Sequence, residues 1–156
     1  MKSVRRIRPE PTHYRNVDLD IVSSVPLDGL VETMGERVFV LYIGGKGRKH
    51  EAHVELASSH MGMPADRTIM GRVALVKKLP RRSRKVWDAA RSRDFNVGIE
   101  AGLEPHSYEL RLNRRTIDAV AEVGGDVVIT VYAPDVNRSS ISRPPKAAAV
   151  RKSSRS

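Results

Sequence analysis

The sequence predicts an α+β fold: one mixed, largely antiparallel sheet of about six strands with helices packed on it. Three observations lead there. Some segments alternate apolar and polar residues with period two, and others repeat their apolar residues every three to four positions. The segments follow one another as β-α-β-β-α-α-β-β-α-β. A strand–helix–strand unit near each end stops its helix with glycine just before a β-branched run, "GERVFVLY" in one case and "GGDVVITVY" in the other. That echo gives the chain some ferredoxin-like, duplicated βαβ character.

In "NVDLDIVSS" Val17, Leu19 and Ile21 share one face while Asp18 and Asp20 share the other, the pattern of a half-buried strand. In "SVPLDGLVETMG" Ser24 can cap, Pro26 suits a first turn, Leu27, Leu30, Val31 and Met34 fall at helical spacing, and Gly35 sits where a helix ends. "RVFVLYI" is apolar on both sides, which predicts a central strand. "GGKGRK" turns the chain into "HEAHVELA", with Ala52, Val54 and Leu56 inward, so the two runs predict a hairpin. Asp66 opens a helix carrying Ile69, Val73 and Val76. Pro80 ends that stretch and starts a second helix over about 81–93. "FNVGIEA" and "SYELRL" predict two strands, Asn113 caps "RRTIDAVAEVG", and "DVVITVY" closes the sheet. The folded domain is expected over about 16–134, between a basic flexible leader (1–15) and a basic, disordered Pro/Ala/Ser/Arg tail (135–156).

The formal charge of +10 is unevenly placed. Residues 1–10 carry four basic residues and one acid, residues 77–93 eight and one, and residues 138–156 six and none. The rest of the chain carries 10 basic and 16 acidic residues, so the body of the domain is acidic. The absence of cysteine excludes disulfides, thiol nucleophiles and cysteine metal sites, and it fits a reducing compartment. The first residues lack the apolar core of a secretory signal, and no run approaches the roughly 20 apolar residues of a membrane span. A cytoplasmic protein with no membrane association is expected.

The segment "LVKKLPRRSRKVWDAARSRDF" holds the internal basic cluster and the single tryptophan. On a helical wheel Ser83, Val86, Trp87 and Ala90 form one stripe, and the basic residues occupy the remaining circumference. Trp87 therefore reads as a core anchor. A groove-reading helix would instead align a few polar side chains along one line. The cluster is a solvated basic face or a sequence-independent phosphate-contacting face; Lys77, Lys78, Arg81, Arg82, Arg84, Lys85 and Arg91 are its candidate residues. Lys46, Arg48 and Lys49 of "GGKGRK" form a secondary basic loop, in a sequence that lacks the Gly-Lys-Ser/Thr of a phosphate-binding loop and reads as a turn.

Other signals are weaker. His50 and His53 are three apart in a predicted strand, so they point to opposite faces, and with His60 they supply no converging metal set. Asp18 and Asp20 are paired carboxylates without an evident catalytic partner. Gly98 inside a strand predicts a bulge or a close backbone approach. No nucleophile-elbow pattern occurs. No catalytic residue, metal or cofactor is assigned.

The run from "VKKLP" through "RKVWDAARSRDFNVGIEAG" to "YELRLNRRTIDAVAEVGGDVVITVYAP" resembles small uncharacterised bacterial domains of the domain-of-unknown-function type, over about residues 66–134. The resemblance implies a fold without an established enzyme activity, and some such domains look like interaction or immunity proteins of bacterial conflict systems. It carries no functional residue. The expected function is a non-enzymatic binding module for another macromolecule, with an unknown protein as the expected partner. The alternative is a nonspecific nucleic-acid binder using residues 77–93 and both tails, and an enzyme comes third. The sequence leaves the oligomeric state open.

Overall fold

A computed structural model describes residues 11–58 and 62–134. Most of the expected leader and the whole expected tail, together with His60, lie outside the described residues. The first strand, β1 (His13–Ser23), is followed by helix α1 (Asp28–Met34), a 3-10 turn (Gly35–Arg37), and strands β2 (Val38–Lys46) and β3 (Lys49–Leu56). Helices α2 (Ala65–Lys77) and α3 (Arg81–Asp88), strand β4 (Ser92–Glu100), helix α4 (Arg114–Glu122) and strand β5 (Asp126–Tyr132) complete the chain. Three residues expected in the leader, His13 to Arg15, thus belong to the sheet.

The described sheet has five strands in the order β2-β3-β1-β4-β5. β2 pairs β3, β3 pairs β1 and β1 pairs β4, all antiparallel, while β5 lies parallel to β4. The ferredoxin-like character resides in two interleaved crossovers, β1-α1-β2 and β3-α2-β4, each joining parallel strands with another strand between them. The final unit, β4-α4-β5, is an appended crossover between neighbours. The internal partner of the first unit is therefore the middle one, and the likeness of the two glycine-led strands reflects a shared local need for a helix stop. Gly35 and Gly124 both adopt positive φ after a helix, where an L side chain would be strained.

The sixth expected strand does not form. "SYELRL" lies in an irregular crossing from β4 to α4. Its alternation was a true burial signal, because Leu110 and Leu112 pack against the core. It does not join the β4 ladder, because β4 already has β1 on one side and β5 on the other. The Tyr108 hydroxyl accepts instead from the Tyr14 amide at 2.8 Å. A second correction concerns β2, which is an edge strand, with Phe39, Val40, Leu41 and Tyr42 all exposed. An apolar run on both sides signals burial only if layers cover both faces, and here the helix layer stops short of it. α3 also ends earlier than expected, because the Arg91 amide is already bonded to Val22 O at the start of the β4 pairing.

Helices cover the face that carries Val17, Leu19 and Ile21 of β1 with Ala52 and Val54 of β3 and Phe95 and Val97 of β4, all buried. Leu27, Leu30, Met34, Ile69, Val73, Val76, Trp87 and Val120 close the core from above. Each of these side chains contributes about 1.5–3 kcal/mol by leaving water. The opposite face of the sheet carries no helix among the described residues.

Candidate functional site

The basic cluster is built around α3. This short helix spans from α1, where Ser83 Oγ lies 2.9 Å from Thr33 Oγ1, to the end of α4, where Trp87 Nε1 donates to Val123 O at 2.8 Å. Trp87 is fully buried, and Ser83 and Ala90 share its side, so the stripe read from the wheel is the packed one. Arg93 stitches the helix end by donating to Trp87 O and Asp88 O. With its apolar side fixed, α3 turns Arg81, Arg82 and Lys85 to solvent.

The structure separates the candidate cations into two groups. Lys77 is held by Glu122 of α4 at 2.7 Å, Arg84 by Asp88 one turn along at 2.8 Å, and Lys49 by Glu51 at 2.7 Å. Lys78, Arg81, Arg82, Lys85, Arg91, Lys46 and Arg48 are exposed and have no ion pair among the described residues. Strand register relates the two basic regions. Lys46 faces Lys49 across the hairpin turn Gly47–Arg48, His50 faces Ser23, and Val22 faces Ser92. The hairpin tip and Arg91 therefore reach the same end of the sheet, separated by β1, a lateral offset of about 10 Å. Gly47, at φ 61°, supplies the left-handed residue that this two-residue turn requires. The groove between α2 and α4 is lined by Lys77, Arg114, Arg115, Asp118 and Glu122, so all but one of its positive charges are matched by acids.

The uncovered sheet face is the opposite in sign. Glu51, His53 and Glu55 of β3, Asp18 and Asp20 of β1, and Asp94 of β4 alternate with buried residues and so share this face. A hydrogen-bonded chain crosses four strands. His53 Nδ1 meets Asp20 Oδ1 at 2.7 Å, Asn96 Nδ2 donates to Asp20 Oδ2 at 2.9 Å, and Thr130 Oγ1 donates to Asn96 Oδ1 at 2.7 Å. Beside it, Asn16 Nδ2 donates to Asp18 Oδ1 at 3.0 Å. Burial, reinforced by the charges of Glu55 and Asp20, pushes the Asp18 carboxyl up to about 6. Burial also raises Asp94, with Asp126 and Asp20 adding to it.

The sequence reading weighed His53 only as a metal ligand and missed its bond to Asp20. The signal existed in principle, since β1 and β3 show matching alternation, but only the register His53↔Asp20 makes the contact. Asn96 and Thr130 escaped notice because each is an ordinary strand residue until its neighbours are known. Gly98 is the close approach that was expected: a side chain there would meet Asn16 Oδ1 at 2.7 Å. The irregularity falls on the partner strand, between Tyr14 and Asn16.

On the helix side, Arg72 is fully buried, and only its Nη1 finds a partner, Thr68 O at 3.3 Å. Burial lowers this guanidinium to about 10.

Comparison with protein-family models, with characterised proteins and with solved structures gave no match. No helix among the described residues is long and apolar enough to cross a membrane, and no three acidic or histidine side chains among them converge as metal ligands.

Proposed function

We propose that this protein is a non-enzymatic binding module for another macromolecule, and that its contact surface is the basic end formed by α3, the α3–β4 junction and the β2–β3 hairpin. The observation that carries this reading is the set of exposed cations without ion pairs among the described residues on a helix locked to the core, in a domain whose open sheet face is acidic. A local positive field on an otherwise acidic body attracts an anionic ligand and orients it. The ligand this best fits is the phosphate backbone of a nucleic acid, contacted without regard to sequence. Groove reading does not suit α3, which has eight residues and one side buried.

The test is a salt series on the full chain and on an Arg81→Ala/Arg82→Ala/Lys85→Ala variant, using a duplex DNA of arbitrary sequence. Each lost phosphate contact reduces the log–log salt slope by about 0.9, so the triple variant should bind more weakly with a slope smaller by about 2–3. No binding by the full chain at low salt, or an unchanged slope in the variant, would overturn the reading.

A second reading, a partner-protein module, draws on the uncovered apolar side chains of β2. A stoichiometric protein partner that a Phe39→Lys variant fails to retain would favour it. The conflict-system role implied by the resemblance has no residue of this chain attached to it.

A further inference from the structure

Among the described residues β5 is the second edge of the sheet, and past Val127, which packs against the core, it is uncovered on both faces. By its register with Phe95, Val97 and Ile99, the residues Val127, Ile129 and Val131 lie on the helix-layer side. Yet Ile129 is 57% and Val131 61% exposed, so α4 does not shelter them. Ile117 of α4, 43% exposed, extends the same apolar strip. Lys77 and Glu122 mark the flank of α4 that faces α2. At 100° per residue Ile117 lies about 140° from Glu122, on the flank turned toward the free edge.

An exposed strand edge is ordinarily blunted by a charge, a proline or a bulge. β5 has none of these along its length: its pairing with β4 is unbroken, and its one charge is the terminal Asp126. The other edge, β2, differs. A register shift between Val40 and Tyr42 interrupts its ladder. Its full-length antiparallel self-pairing would also set Phe39 and Val40 against Gly45 and Gly44.

We propose that β5 pairs with β5 of a second copy of this chain, antiparallel about a two-fold axis at Ile129. The strand is self-complementary in that register. Val127 faces the partner copy's Val131, and Ile129 faces its own equivalent, so the helix-layer side is wholly apolar. On the other side Val128 faces Thr130, and Asp126 faces the Tyr132 hydroxyl, which can donate to it. No like charges meet. Two five-stranded sheets become one of ten, and the Ile117 side chains approach across the axis. The contact is isologous and closes as a dimer. Because the paired strands run in opposite directions, the two basic ends point away from one another. The dimer therefore does not build the anion surface, and this inference goes beyond the binding reading without resting on it.

The absence of cysteine makes the register directly testable in the full chain. At the axis a residue faces itself with Cα atoms about 4.5–5.5 Å apart, within the disulfide range of about 4.4–6.8 Å. An Ile129→Cys variant should cross-link nearly completely on mild oxidation, while a Leu41→Cys variant on β2 should stay largely uncross-linked. Wild-type protein should sediment at twice 17.4 kDa. Ile129→Lys, at an exposed position, should sediment at half the wild-type mass with an unchanged circular dichroism spectrum. A monomeric wild type at tens of micromolar would overturn the proposal. So would equal cross-linking at both positions, or an Ile129→Lys variant that remains dimeric.

Discussion

Replacing Asp18 with asparagine isolates a single half-buried carboxyl on the open sheet face. Asp18 titrates at about 6 in the fold against its ordinary 3.8, because burial and the nearby charges of Glu55 and Asp20 disfavour its ionised form. The folded state thus holds this proton more tightly than the unfolded chain does. Stability falls as pH rises from about 4 to about 6, and the penalty is fully present above that window. At about 1.4 kcal/mol per pKa unit the penalty is on the order of 3 kcal/mol. Solvent screening at a partly exposed site reduces it to about 1–2 kcal/mol. The asparagine side chain keeps the volume and can still accept the hydrogen bond from Asn16. The Asp18→Asn variant should therefore be more stable than wild type by about 1–2 kcal/mol at pH 7.5, or about 3–8 °C in Tm, and nearly equal to it below pH 4. Thermal unfolding of both proteins between pH 3.5 and 8 measures the difference directly. Contributions from groups remote from Asp18 cancel in the subtraction. A variant no more stable than wild type at pH 7.5, or a gain that is the same at pH 4 and 7.5, would refute the reasoning.

Arg72→Met should be neutral or stabilising by about 1–2 kcal/mol in denaturant unfolding, since it removes a buried charge that bonds only to Thr68 O. Asn113→Ala should cost about 1 kcal/mol, because the Asn113 side chain accepts from the Thr116 amide at 3.0 Å and caps α4. Trp87→Phe should cost about 2–4 kcal/mol, losing both indole volume and the bond to Val123 O. Gly125→Ala should destabilise by more than about 1 kcal/mol, because an added methyl would collide with the Phe95 ring and with Arg93 O; wild-type stability in any of the last three would contradict the packing described.

The fold was legible wherever one side of an element is buried. The alternation of Val17, Leu19 and Ile21, the helical spacing of Leu27, Leu30, Val31 and Met34, and the wheel of α3 name residues that the structure buries, Val86 alone being half-buried. Each of these readings depends on local period and side, which a chain carries in its own sequence. Legibility ended where the answer depends on what lies beside an element. β2 and "SYELRL" show the two directions of that failure. The first has the composition of a central strand and sits at an edge, and the second has the alternation of a strand and finds no ladder partner. Strand order is set by the crossovers, and no residue within a strand records it.

The same division separates the charge map from the ion pairs. A count along the chain located the basic segment and the acidic body, but it could not tell Lys77 from Lys78. One is held by Glu122 from a helix 45 residues away in sequence, and the other is free of any ion pair among the described residues. Position on the wheel decides which cations face water; tertiary register decides which remain available. The distinction reshapes the candidate surface, because Lys77, Arg84 and Lys49 already have partners, and Lys78, Arg81, Arg82, Lys85 and Arg91 carry its field. Charge placement bears on the β5 edge as well. Past Asp126, which lies beside Asp94, β5 carries no charge, and a strand of that composition is left able to meet its own copy.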